Sequence, residues 1–175
     1  LARVGDEIEQ KDKSQIIQLV SSKKIYTNKY LLNLIKNLID SYEKQKPYDN
    51  KIKSFVNTCN KYLIGKSFIY DEKNVSLNII RNNTNEVISL HHLSSGEKQI
   101  ISVFSKLYIE NNDDCVILFD EPELSLSLKW QNMFLPDIMR TSKCSKLIAV
   151  THSPFIFENN LDKYARYMGS FLKQI

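Results

Sequence analysis

Cys115-Val116-Ile117-Leu118-Phe119-Asp120-Glu121-Pro122-Glu123 is the stretch on which the fold turns. Five apolar residues without polar alternation read as a parallel strand buried on both faces, and the acids and proline that follow read as its end. A second such run, Leu147-Ile148-Ala149-Val150, leads into Thr151-His152-Ser153-Pro154. The spacing predicts a strand from Cys115 to Phe119, a helix from about Ser127 to Thr141 and a strand from Lys146 to Val150. The carboxyl ends of parallel strands are where open α/β sheets place their ligands. Asp120, Glu121 and His152 therefore stand where chemistry is expected.

The residue types at those ends suit phosphate chemistry. A carboxylate at Asp120 can hold Mg2+ directly or through a water. Its neighbour Glu121 can orient or deprotonate an attacking water. Two carboxylates this close repel, so a cation or a raised pKa must offset the repulsion. A solvated acidic pair at a strand end would have the same sequence. Upstream, Leu93-Ser94-Ser95-Gly96-Glu97-Lys98-Gln99 matches a capping box, Ser94 with Glu97, and marks a helix start running to about Glu110. A helix start with a glycine is also an anion site, and nothing within the motif decides between the two readings. His152 beside a γ-phosphate could sense or stabilise charge, while a lone histidine can equally be structural.

Working outward, Phe68-Ile69-Tyr70, Val75 to Ile80 and Val87 to Leu90 are short β-rich runs separated by Asp71-Glu72-Lys73-Asn74 and Asn82-Asn83-Thr84-Asn85. They predict an antiparallel meander. In front of it, residues from about Asp6 to Leu63 read as helix. Ile16, Ile17, Leu19 and Val20 lead into Tyr30, Leu31, Leu32, Leu34, Ile35, Leu38 and Ile39, a 3/4-spaced stripe expected to be core. Lys46-Pro47-Tyr48-Asp49-Asn50 is expected to break the helix, with a further one from Lys51 to Tyr62.

The composition is that of a globular chain: 175 residues, 42% hydrophobic and 25% charged. Disordered, collagen-like and mucin-like classes are excluded, and no apolar run is long enough to span a bilayer. A net charge of +4 is a weak sign of nucleic-acid binding, and much of the lysine excess lies in the first third. Cys59, Cys115 and Cys144 stand far apart with no CxxC spacing, which argues against zinc and disulfides and fits reduced, cytosolic thiols.

Meander, LSSGEKQ, hhhhDEP and hhhhTHSP in this order resemble the C-terminal half of an ABC-type ATPase head of the SMC/RecF/OLD-like group. Leu93 to Gln99 resembles the signature motif, Val116 to Glu121 the Walker B motif, Glu123 to Trp130 the D-loop region and His152 the switch histidine. The resemblance implies an α/β lobe over residues 65–175, with parallel core strands and a small antiparallel meander. Residues 1–64 would be a helical insertion or arm in front of it. The wording Ser95 to Ile100 and Asp120 to Leu126 is similar to Septu-type antiphage defence ATPases, including versions encoded beside retron reverse transcriptases. Many relatives have a histidine in the D-loop region where this chain has Ser127.

The resemblance implies ATP and Mg2+ as cofactors and a head-to-tail dimer with ATP sandwiched between two heads. Ser94 would donate its hydroxyl to the γ-phosphate held by the partner head, and Ser95, Gly96 and Glu97 would belong to the same nucleotide-binding element. Asp120 would order Mg2+, Glu121 would position water, and His152 would hold the γ-phosphate edge. The implied function is an ATP-hydrolysing switch of antiphage defence that controls an HNH-type nuclease partner in the cytoplasm, with nucleic acid a further candidate partner and no membrane role. The alternatives are a DNA repair or chromosome maintenance ATPase of the SMC/RecF type and a non-catalytic scaffold. A P-loop, GxxxxGK[ST], is missing: Gly65-Lys66-Ser67 has Asn60 where the first glycine is required, and β-rich sequence follows it. Either the Walker A lobe precedes Leu1, as the resemblance favours, or the module is degenerate.

Overall fold

The computed structural model describes residues 29–110 and 114–171. The chain is mixed α/β. A long helix α1 (Lys29–Cys59) leads into a meander of β1 (Lys66–Asp71), β2 (Ser76–Arg81) and β3 (Val87–Ile88). Helix α2 (Ser95–Tyr108), strand β4 (Cys115–Asp120), helix α3 (Leu128–Met139) and strand β5 (Cys144–Val150) follow. Single-turn 3-10 segments finish the described chain. The meander pairs antiparallel in the order β1-β2-β3, and Phe68 lies opposite Ile79, both of them buried. β4 and β5 pair in parallel, with Phe119 beside Ala149 and Asp120 beside Val150.

Helix α1 departs from expectation in two ways. It runs through Pro47 without a break. A proline leaves the carbonyl four residues earlier without its donor, and here that residue, Glu43, is exposed, so water can replace the bond. Two residues on, Asp49 is buried and accepts a 2.6 Å hydrogen bond from the Tyr70 hydroxyl, which fixes the helix to β1. The stripe expected to be core is open at its described end, since Leu38 and Ile39 are about half exposed. Its members upstream of residue 29 lie outside the described residues.

The core gathers where the C-terminal part of α1, the meander, α2 and α3 meet. Phe104 of α2 is fully buried, with ring centroids 5.8 Å from Tyr62 and 6.1 Å from Phe134. Burial of an aromatic residue is among the larger single contributions to a domain of this size. Within this core Asp137 accepts three hydrogen bonds, from Tyr62 Oη (3.0 Å), Lys61 Nζ (3.0 Å) and Arg140 (2.9 Å). They join the segment after α1 to the far end of α3. Burial also pushes the Cys59 thiol up to about 12, so it stays protonated and unreactive at neutral pH.

The parallel pair is not buried on both faces. Ile117, Phe119, Leu147 and Ala149 pack toward the core, with the Phe119 ring 5.7 Å from Phe134 of α3. The alternate residues Val116 (58% exposed), Leu118 (71%), Ile148 and Val150 face outward. The physical reason is that the described helices cover only one side of this sheet. Cys115 and Cys144, far apart in sequence, are neighbours across the two strands as free thiols. Among the described residues no helix is long and apolar enough to cross a membrane.

Candidate functional site

The parallel register sets the geometry. Because Asp120 pairs with Val150, the two strands end flush, and Glu121 N–H donates to Val150 O at 2.8 Å. One further ladder bond thus holds Glu121, although its φ of +46° lies in the left-handed region. That conformation is costly for a residue with a Cβ and persists only where its surroundings enforce it. It turns the chain away from the sheet at buried Pro122. At the end of β5 the His152 Nε2 lies 3.8 Å from Glu121 Oε1, an attraction that becomes an ion pair when the imidazole is protonated. Tertiary structure thus brings Glu121 and His152 together, from 31 positions apart in the chain.

Asp120 is exposed, and its carboxylate makes no hydrogen bond or ion pair among the described residues. Among those residues no cluster of three or more His, Cys, Asp or Glu could enclose a metal ion. Mg2+ is usually held by one or two carboxylates together with waters and substrate phosphates. Asp120, with Glu121 beside it, offers hard oxygen donors of that kind.

The α2 start is a second group, with no hydrogen bond or ion pair to Asp120, Glu121 or His152 among the described residues. The capping box is present in full: Glu97 N–H donates to Ser94 Oγ (3.3 Å) and Ser94 N–H to Glu97 Oε2 (2.8 Å). Lys66 Nζ donates to both Glu97 oxygens, at 2.8 and 2.7 Å. Burial opposes ionisation of Glu97, but the Lys66 ammonium and the Ser94 N–H outweigh it and hold the carboxyl below its usual range. Glu97 is therefore committed to tying α2 to β1, whereas Ser94 and Ser95 face solvent. Lys66 and Ser67 lie within β1 and are followed by strand, not by the helix that a phosphate loop opens.

The same helix start packs on the loop after β4. A Cβ at Gly96 would lie 2.3 Å from Ser125 O and 3.2 Å from the Trp130 ring, so the glycine is needed for the approach of its own chain. Gln99 Nε2 donates to Pro122 O at 3.3 Å. The sequence reading missed what Glu123 does. Its Oε1 accepts from the N–H of His152 (2.9 Å) and of Ser153 (3.2 Å), while its Oε2 is buried without a hydrogen-bond partner among the described residues. Partial burial opposes ionisation of Glu123, and the backbone N–H groups of His152 and Ser153 help to override it, so this carboxyl too titrates below its usual range. Ser153 Oγ donates to Gln131 Oε1 (2.6 Å), and Gln131 Nε2 to Leu126 O (3.0 Å). Glu123 stands in the acidic run, but its partners are long-range and leave no local sequence signal.

Residues 4–158 match the family described as "AAA domain, putative AbiEii toxin, Type IV TA system". The chain belongs to that family. A curated relative, the retron Vc95 probable ATPase of Vibrio cholerae serotype O1 biovar El Tor, is 27% identical over 154 residues. The match takes in 82% of this chain and 27% of the relative, so the chain spans about a quarter of that protein's length. The matched family region contains both groups of site residues, Ser94 to Glu97 and Asp120, Glu121 and His152.

Proposed function

We propose that this chain is the C-terminal lobe of an ATP-hydrolysing switch in an antiphage defence system, of the Septu-like, retron-associated kind, which acts by head-to-tail dimerisation on an HNH-type nuclease partner. The observation that carries the reading is the placing of Glu121 and His152 3.8 Å apart at the carboxyl ends of two parallel strands, beside Asp120, which has no partner among the described residues. Family membership and the retron relative support the part of the reading that makes it an ATPase of a defence system. Bound ATP with Mg2+ supplies the phosphoryl group to be cleaved and the cation that neutralises it. Asp120 would hold the cation, Glu121 would orient a water and accept its proton, and His152 would stabilise charge on the γ-phosphate. Ser94 and Ser95, exposed at the positive end of α2, would contact the nucleotide bound by a second head.

The reading requires a P-loop from polypeptide beyond residues 1–175. The outward apolar residues Val116, Leu118, Ile148 and Val150 give that lobe a surface to bury, as a parallel sheet demands. The test is ATP hydrolysis by the intact protein, alone and with its nuclease partner, against Glu121→Gln. Loss of the general base should slow turnover by about 10²- to 10⁴-fold while ATP-driven dimerisation survives. Turnover at the wild-type rate in Glu121→Gln would remove that residue's role. Absence of ATP binding in the intact protein would remove the ATPase reading.

A further inference from the structure

We infer that Glu123 is the positioning residue that holds His152 beside Glu121, a role that rests on the ATPase reading above. The His152 side chain is 86% exposed, so packing does little to fix where its imidazole sits. Its position is set by the backbone of the short turn from Thr151 to Pro154, and Glu123 grips that backbone. One carboxylate oxygen accepts two consecutive N–H groups, those of His152 and Ser153. Hydrogen bonds from N–H groups to an ionised acceptor are among the stronger ones in proteins. The Ser153 N–H is also within 3.0 Å of Thr151 Oγ1, and the Ser153–Gln131–Leu126 chain braces the far side of the turn. The turn after β5 is thereby locked to the turn after β4, the segment that carries Glu121.

The second oxygen distinguishes this arrangement from a surface acid. Glu123 Oε2 is buried and has no hydrogen-bond partner among the described residues, so that oxygen is desolvated for the two bonds made by the other one. Such a group is expensive to keep unless its bonds are needed. Glutamine preserves an acceptor for both N–H groups, and alanine removes it. These two substitutions therefore separate the clamp from the charge.

The experiment uses the intact protein with Glu123→Ala, Glu123→Gln, His152→Ala and the Glu123→Ala/His152→Ala pair, checked first for ATP binding. Amide hydrogen exchange over residues 150–154 reads the clamp directly, and ATP turnover reads its consequence. Glu123→Ala should speed exchange at His152 and Ser153 by about tenfold or more, and Glu123→Gln by much less. Turnover should fall by about 100-fold in Glu123→Ala with little change in KM, the scale of misplacing a reacting group by an ångström. In the His152→Ala background the same change should cost almost nothing, because a positioning residue has nothing left to position. Equal losses in both backgrounds, or unchanged exchange in Glu123→Ala, would overturn the inference. A wild-type protein that binds ATP without hydrolysing it would refute the ATPase reading instead, and exchange would still decide whether the clamp exists.

Discussion

Gly96→Ala sets two effects of opposite sign against each other. By helix propensity, alanine should stabilise the first turn of α2 by up to ~1 kcal/mol relative to glycine. By packing it should destabilise, because the new Cβ would lie 2.3 Å from Ser125 O. An ordinary carbon contact needs roughly 3.5 Å, so the two must separate by about 1 Å. The carbonyl cannot easily yield. Ser125 is already left-handed at φ +66°, and its loop is held by Leu126 N–H to Glu123 O at 3.0 Å and by Gln99 to Pro122 O. Moving it breaks a bond, and moving α2 disturbs the buried pair of Glu97 with Lys66. Overpacking of this kind costs about 1–3 kcal/mol, so a net loss of about 1–2 kcal/mol is expected. Urea unfolding of the intact protein, followed by a probe in this domain, measures it. Gly65→Ala serves as the contrast: its φ is +70° with open space around it, so only the ~1 kcal/mol of left-handed strain applies. A Gly96→Ala protein as stable as wild type, or more so, would refute the packing argument. It would also return Gly96 to the simpler role of letting a phosphate approach.

Two further outcomes are expected. Asp137→Ala leaves the buried Tyr62 hydroxyl without its acceptor, while Lys61 and Arg140 turn to water. The loss of stability should be about 2–3 kcal/mol in denaturant, and Tyr62→Phe should cost less; equal costs would show that the Tyr62 bond accounts for the whole loss and the ion pairs for none of it. Glu97 and Glu123 both titrate below the ordinary glutamate value of ~4.3, so the unfolded chain takes up their protons first as pH falls. The stability they contribute is full above that value and is lost as pH drops through their lower folded values. Lys66→Met should flatten the acid limb of a stability–pH curve, and an unchanged limb would refute the role of Lys66 in it.

Residue order alone made much of the site legible. Apolar runs ending in Asp120-Glu121 and in Thr151-His152 specify two strands whose carboxyl ends carry charge, and the Ser94–Glu97 capping box is local and forms as expected. The expectations that failed all depended on distant partners. A proline predicts a helix break, yet Pro47 sits inside α1 because its orphaned carbonyl is on an exposed stretch and Asp49 is anchored to Tyr70. Apolar strand residues predict burial on both faces, yet burial needs a second layer, and the described elements supply one.

The division follows the range of the forces. Caps, strands and turns are set by neighbours a few residues apart, so the sequence by itself determined that Ser94 starts a helix and that Asp120 and Glu121 end a strand. Which side chains meet is set by register and packing between segments dozens of residues apart. Only the tertiary structure put His152 beside Glu121, committed Glu97 to Lys66, pressed Gly96 against Ser125, and turned Glu123 from one more acid in a run into the acceptor that grips the backbone of the histidine's turn.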